Sequence, residues 1–268
     1  MPAWDDYPPE HHLGRDLGLA YRLPRPGHIR LTAPVGDAVL RPDGTVYSEV
    51  VCAIVDEAVG FVSVMEAQPD WGSTAALSFG FTNNVAEPSG DLMVHGRVVK
   101  AGKRLIFVEC RVECGDVLVA HAEGQFARVP RAGANREMEM PGVDPDAVWR
   151  MGGDACALTQ PFPASLGLES AAPGDQPAAI ELGFDGYVAN SAGILHGGVA
   201  AALAISPAEL AATAPAASAS VQFLSPGRNG PFRSTASRFA GHRDGVWQTE
   251  AFDLADGRPM LRAVVTTA

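Results

Sequence analysis

The sequence is poor in basic residues, in cysteines and in long apolar runs. Lys and Arg number 20 against 31 Asp and Glu, a formal charge of -11 over 268 residues. Nucleic-acid binding draws on a surplus of cations to neutralise phosphates, so a general nucleic-acid binder is not expected; there is room only for a local basic patch serving one phosphorylated ligand. No uninterrupted apolar stretch approaches the length that spans a bilayer, and no membrane partner is expected. The opening "MPAWDDYPPEHHLGRD" is acidic and proline-rich, with neither the basic nor the apolar region of a secretory signal, which points to a cytoplasmic location. Cys52, Cys110, Cys114 and Cys156 are the whole cysteine complement. Cys110 and Cys114 lie in a strand-like run with no second Cys/His pair after them, so buried or neutral thiols are expected and a metal is not. What the chain does have is 47% apolar residues, enough to bury the core of one large domain or two ordinary ones.

It also has an internal repeat. Leu17-Gly18-Leu19 and Leu166-Gly167-Leu168 stand 149 residues apart, and the same offset carries Gly44 onto Gly193. "RPDGTVYSEVVCAIVDEA" then lies over "NSAGILHGGVAAALAISP" without a gap. The offset falls to about 142 where "AALSFGFTNN" meets "ASASVQFLSP", and to 139 where "KAGKR" meets "FAGHR", as short deletions in the second copy would produce. Each copy reads as a Leu-Gly-Leu turn, a strand near 29–34 or 178–184, a loop, a helix, and a run of strands. These strands are expected at 75–82, 91–100, 104–113 and 117–128, then at 216–224, 232–240, 246–253 and 259–267. Alternating stretches such as "HAEGQFARV" and turn signals such as "EPSGD" and "LADGR" make them antiparallel hairpins, an α+β fold. The organisation expected is an N-terminal repeat over 1–130, a Gly/Pro-rich linker over 131–157 and a C-terminal repeat over 158–268.

Two features carry chemistry. The first helix, near 50–65, is apolar on nearly every side except at Asp56 and Glu57, so a sheet should wrap it. A carboxylate buried there without partners costs several kcal/mol, on the order of the penalty for any unpaired charge; Asp56 either shares an exposed stripe with Glu57 or is held for a purpose. Burial would raise its pKa and suit it to general-base work. The second feature is His196-Gly197-Gly198 at the start of the second helix. Helix-initial N–H groups lack internal partners and attract negative charge, and glycine lets a ligand approach them closely. An oxyanion of acyl transfer is a natural guest. Taken alone, the same residues also read as a glycine-rich helix start with His196 a hydrogen-bonded core residue.

The stretch "FPASLGLESAAPGDQPAAIELGFDGYVANSAGILHGG", with its Leu-Gly, its Asn190-x-x-Gly193 and its His196-Gly197-Gly198, resembles the opening of hotdog-fold acyl-CoA thioesterases of the phenylacetate-pathway (PaaI-like) type. Applied once per repeat, the resemblance implies a double hotdog: two antiparallel sheets, each wrapped round a central helix, paired as a pseudo-dimer with sheets joined and helices side by side. It places the family's oxyanion donor on the backbone of Gly197 and its asparagine on Asn190. The family's catalytic acid, nine residues after the histidine position, falls on Ile205 in the second copy, with the helix breaker Pro207 close behind, but on Asp56 in the first. A hydroxyl found 18 residues after the acid in some members falls on Thr74 in the first copy and about Ala216 in the second.

The copies are thus complementary: the first keeps Asp56 and Thr74 but has Arg41, Tyr47 and Ser48 where the second keeps Asn190, His196 and Gly197. Because the family builds its site across a pair of units, one site, Asn190/His196/Gly197 with Asp56/Thr74, is expected to be complete and its mirror image dead. The activity implied is thioester hydrolysis, with Gly197 N–H on the carbonyl oxygen, Asp56 as base or nucleophile, Thr74 and Asn190 orienting water or substrate, and His196 fixing the loop. Substrate contacts are expected at Gly198, and for the coenzyme A phosphates at Lys103 and Arg104 or at His242 and Arg243, which also read as solvated hairpin tips. Phe61, Met65, Trp71 and Phe223 are candidates for the acyl tunnel. No cofactor is expected, coenzyme A being part of the substrate, and the pseudo-dimer could pair again with itself. The alternatives are an acyl-CoA-binding hotdog protein without turnover and an enoyl-CoA hydratase, which wants Asp and His together near the start of one helix.

Overall fold

The computed structural model describes residues 8–82, 84, 90–131, 140, 142–170, 178–241 and 244–268. Two helices account for most of the helical structure: α2, Ser48–Ala67, and α4, Gly197–Ala212. Two four-residue turns of helix, α1 (Leu13–Asp16) and α3 (Phe162–Ser165), carry the two Leu-Gly-Leu motifs at their ends. The strands are β1 (Ala20–Arg25), β2 (His28–Pro34), β3 (Trp71–Phe81), β4 (Asp91–Ala101), β5 (Leu105–Cys114), β6 (Val117–Val129), β7 (Trp149–Arg150), β8 (Glu169–Ser170), β9 (Ala179–Leu182), β10 (Ala216–Phe223), β11 (Phe232–Arg238), β12 (Val246–Asp253) and β13 (Arg258–Thr267).

All thirteen described strands form one sheet, ordered β7-β1-β2-β4-β5-β6-β3-β10-β13-β12-β11-β9-β8. The expected two sheets are therefore continuous, joined where β3 pairs antiparallel with β10. Outward from that seam the order is the same in both directions, β3-β6-β5-β4-β2-β1 one way and β10-β13-β12-β11-β9-β8 the other. At the seam Ser78 faces Ser220, two residues that the 142 offset makes equivalent, so the local two-fold runs between them.

Burial explains the wrapping. Along α2, sixteen of twenty residues are buried, so the helix needs apolar cover on almost all sides. Its cover is the inner face of β2 to β6, whose alternation puts Leu92, Val94, Ile106, Val108, Val112 and Phe126 inward. α4 is covered likewise by the second half-sheet. The two helices pack against each other with opposite directions: Gly198 lies against Cys52 and Ala53, while Ser206 reaches Glu49.

Three expectations need correction. Pro207 does not end its helix; α4 runs five residues past it to Ala212, with Ser206 Oγ donating to the Ala202 carbonyl at 2.8 Å. Burial of Ser206, Pro207 and Ala208 holds a turn that propensity alone would break. The segment 131–157 is more than a linker: Trp149–Arg150 adds an edge strand beside β1, and Met151 N donates to Leu19 O at 2.8 Å. β1 itself, paired with β2, was not foreseen as a separate strand.

Candidate active site

The site forms where the amino end of α4 meets the middle of α2. His196 is the N-cap of α4, and its Nδ1 accepts from Gly198 N at 3.1 Å. This satisfies one of the helix's orphan donors. The other ring nitrogen, Nε2, lies 2.9 Å from Glu57 Oε2, and Nδ1 lies 3.6 Å from Asp56 Oδ2. With Nδ1 accepting from a backbone N–H, the proton sits on Nε2 and is donated to Glu57, which fixes the tautomer. Burial works against a charge on His196, but the Glu57 hydrogen bond and the charges of Asp56 and Glu57 outweigh it and hold its pKa above the usual value.

Asp56 is 7% exposed. Burial is the largest influence on its carboxyl and raises its pKa above the ordinary aspartate value, against the opposing pull of His196. Thr74 Oγ1, on β3, donates to Asp56 Oδ1 at 3.3 Å. Gly197 has no side chain because there is no room for one: a Cβ there would lie 2.7 Å from both oxygens of the Asp56 carboxylate. Its N–H makes no hydrogen bond among the described residues and opens onto the cavity. Gly198 answers a different need, since a Cβ would lie 2.5 Å from the Cys52 carbonyl; it packs helix on helix and does not line the cavity, contrary to its expected role on the substrate.

Asn190 holds the loop before α4. Its Oδ1 accepts from Ala192 N at 2.9 Å and from Ile194 N at 3.3 Å, and the residue lines the cavity. Asp56 and Gly197, 141 positions apart in sequence, thus meet at one point, with Asn190, His196 and Thr74 round it.

Two connected spaces open there. A small cavity of about 100 Å³ is lined by Gly60, Phe61, Val64, Trp71, Phe126 and Met140 beside the polar groups. A larger groove of about 390 Å³ shares Trp71, Gly72, Thr74, Asn190 and Gly197 with it and runs out past Phe223 to Arg228. Of the tunnel candidates, Phe61, Trp71 and Phe223 line these spaces, and Met65 does not. Lys103 and Arg104 sit at the exposed β4–β5 turn, outside both linings; His242 and Arg243 lie outside the described residues. Arg228, which the sequence did not single out, is the cation at the groove's mouth, and its guanidinium has no partner among the described residues. Glu57 was seen only as a neighbour of Asp56, and His12, whose Nε2 lies 3.1 Å from Ala189 O behind the loop, was not considered.

The mirror position is filled. Arg41 Nη2 donates to both carboxylate oxygens of Glu209 at 3.0 and 2.9 Å, Ser48 Oγ donates to Glu209 at 3.0 Å, and Glu209 also accepts from Ala216 N at 2.7 Å. The 149 offset makes Glu209 the counterpart of Gly60, so a carboxylate and its guanidinium occupy what is open space in the other half.

Residues 185–268 match the family model described as the acyl-CoA thioesterase N-terminal domain. A search of curated protein sequences finds no match. Among solved structures, the chain is similar to an acyl-ACP thioesterase from Bacteroides thetaiotaomicron (TM-score 0.58, 11% identity, 90% of this chain and 98% of that one). It is similar also to the 12:0-ACP thioesterase of Umbellularia californica (0.58, 11%, 90% and 94%) and to the tesB protein of Mycobacterium avium subsp. paratuberculosis (0.52, 12%, 88% and 90%). At such identities the likeness is one of fold, and it runs the length of the chain. The C-terminal repeat thus carries the match to the hotdog acyl-CoA thioesterase family, and the chain as a whole has the hotdog fold of the thioesterases it is similar to.

Proposed function

We propose that the protein is a double-hotdog acyl-CoA thioesterase of the PaaI-like type, a thioester hydrolase with one working site per chain. The observation that carries the reading is the meeting of Asp56 with the Gly197 backbone, each supplied by the repeat that lacks the other. In this reading the thioester carbonyl oxygen accepts from Gly197 N–H at the positive end of α4. Asp56 takes a proton from a water held near Thr74 and Asn190, and that water attacks the carbonyl carbon. The C–S bond breaks as the tetrahedral intermediate collapses, the proton passes to the departing thiolate, and a carboxylic acid and free coenzyme A leave. The acyl group occupies the small apolar cavity; the pantetheine arm follows the groove to Arg228, whose guanidinium meets the phosphates in place of Lys103 and Arg104. Lacking a bound cofactor in this scheme, the chemistry rests on the chain's own groups, and the cytoplasm is its proposed location.

The hydratase reading gains Asp56 and His196 at 3.6 Å, but both ring nitrogens of His196 are already engaged, one with Gly198 N and one with Glu57. That leaves the imidazole a positioning role.

The test is a free-thiol release assay over acyl-CoAs from short-chain to aromatic. Asp56→Asn is expected to cut kcat by about 10²- to 10⁴-fold, the range for loss of a general base, with binding of the acyl-CoA retained. Because only the ionised carboxyl serves as base and its pKa is raised, the acidic limb of the wild-type rate profile should lie above the ordinary aspartate range. Hydrolysis undiminished in Asp56→Asn would sink the assignment; binding without thiol release in the wild type would make the protein a carrier.

A further inference from the structure

The outer face of the first half-sheet, turned away from α2 and the site, carries an arrangement that neither the fold nor hydrolysis requires. Arg22 on β1, Arg30 on β2, His95 on β4, Arg111 on β5 and His121 on β6 stand directly opposite one another in a single cross-strand row. At about 4.8 Å per strand, the row is on the order of 19 Å long. It ends at Gly80, over whose bare backbone the His121 ring lies.

Like charges directly opposite in a sheet repel, whereas opposite charges there stabilise it. Elsewhere in the sheet Arg97 faces Glu109, Arg262 faces Glu250 and Arg233 faces Glu181, each in ion-pair contact, while Glu109 also faces Glu123 and Glu181 also faces Glu169. In the row no acid stands opposite any of the five, and Arg22 and Arg30 are guanidiniums directly opposite each other, in a chain of net charge -11. Glu113, two residues further along β5, reaches Arg111 at 2.9 Å and His95 at 3.9 Å. Among the described residues Arg22 and Arg30 have no ion-pair partner.

A groove of about 660 Å³ lies along the row, adding Arg25, His28 and Arg97 to its wall and holding only Glu109 and Glu123 as acids. Burial, followed by the charges of Arg30 and Arg111, lowers the pKa of His95, and burial with Arg25 and Arg97 lowers that of His28. Both imidazoles are thus neutral hydrogen-bonding groups between guanidinium forks, a donor set suited to phosphate oxygens.

We propose that this groove is a binding site for a phosphate-bearing small molecule of nucleotide size, held by Arg30 and Arg111 across the strands with Arg25 on its wall. The volume lies within the range of ligand sites, and the site is independent of the thioesterase reading, being on the other side of the sheet from Asp56.

Calorimetric titration of the full chain with inorganic tripolyphosphate at low ionic strength tests it. Saturable binding is expected, weakened by about tenfold or more in Arg30→Gln/Arg111→Gln, as loss of two phosphate contacts would do. Arg262→Gln, a paired cation on the other half-sheet, should bind as the wild type does. Tripolyphosphate should also raise the Tm of the wild type and not that of the double variant. Without ligand the double variant should melt no lower than the wild type, so a binding loss is separable from misfolding. No saturable heat, or an equal loss in Arg262→Gln, would overturn the proposal; so would tighter binding of a poly-glutamate peptide than of tripolyphosphate, which would make the face a dock for an acidic protein.

Discussion

At the scale of single residues, the site was legible because two weak signals were locked together by one offset. Asp56 alone could have been an exposed carboxylate, and His196-Gly197-Gly198 alone a helix start; only the repeat shows that each copy lacks what the other has. Thr74 followed from the same counting and does reach Asp56. Glu57 was hidden because its partner, His196, is 139 residues away and no spacing rule links them. Gly198 was given to the substrate because sequence does not distinguish a glycine that admits a ligand from one that admits another helix. The role of Glu57 can be measured. It is the acceptor that keeps the His196 proton on Nε2, leaving Nδ1 to accept from Gly198 N and shape the first turn around the Gly197 N–H. Glu57→Gln keeps the size and can present an N–H to Nε2, which would push the ring proton towards Nδ1 and break the cap. A misplacement of this kind costs about 10- to 100-fold in rate. Steady-state kinetics should show it in kcat with KM little changed; an unchanged kcat would make Glu57 a purely structural acid.

At the scale of elements, the strands after each helix came out within two residues except β3, which starts four residues earlier than expected, because alternation and turn residues fix an antiparallel hairpin locally. β1 was missed although its hairpin with β2 is local; its other partner, β7, lies about 130 residues downstream, and no spacing in the sequence links the two. The position of Lys103 and Arg104 could not be read either: a hairpin tip is visible in sequence, but which end of which neighbour it lies beside depends on sheet order. Pro207 shows the same limit from the other side, since a local breaker lost to the burial of its own turn. The contact between α2 and α4 is where local and tertiary demands meet. Helix formation disfavours glycine by about 1 kcal/mol, so Gly198→Ala would stabilise an isolated helix. In the folded chain its Cβ would stand 2.5 Å from the Cys52 carbonyl and 2.7 Å from the Ala53 Cα, backbone atoms with no freedom to turn aside. Overpacking of this sort costs about 1–3 kcal/mol, more than the propensity gain. Urea denaturation should therefore find Gly198→Ala less stable than the wild type, and a variant of equal or greater stability would mean the helices can separate at little cost.

At the scale of the whole molecule, one of the two equivalent positions between the helices is an open cavity lined by Asp56, His196 and Gly197, and the other is filled by the Arg41–Glu209 ion pair. The filled position carries a pH-dependent cost at Glu49. Glu49, at the amino end of α2, is buried between the helices within 4.0 Å of Arg41 and hydrogen-bonded to Ser206 at 3.0 Å. Arg41 already serves Glu209 at 2.9 Å, so one guanidinium faces two carboxylates. Burial, and then the charge of Glu209, raises the Glu49 pKa to about 7 from 4.5. A carboxyl whose pKa is raised by folding binds its proton more tightly in the native state than in the unfolded one. Its contribution to stability is then complete below about pH 4.5 and is lost as the pH rises through about 7, the reverse of a salt-bridged aspartate. Glu49→Gln, which mimics the protonated form and can donate an amide N–H to Ser206 Oγ, removes that dependence. Wild type and variant should have similar unfolding free energies at pH 5, while at pH 8 the variant should be the more stable by something on the order of 1–3 kcal/mol. Urea titrations at the two pH values measure the difference directly. A gap that stays constant between them would show that Glu49 is ionised throughout and that Arg41 compensates both acids at once; a gap that opens with pH would show that the degenerate half trades stability in alkali for closure of the second site.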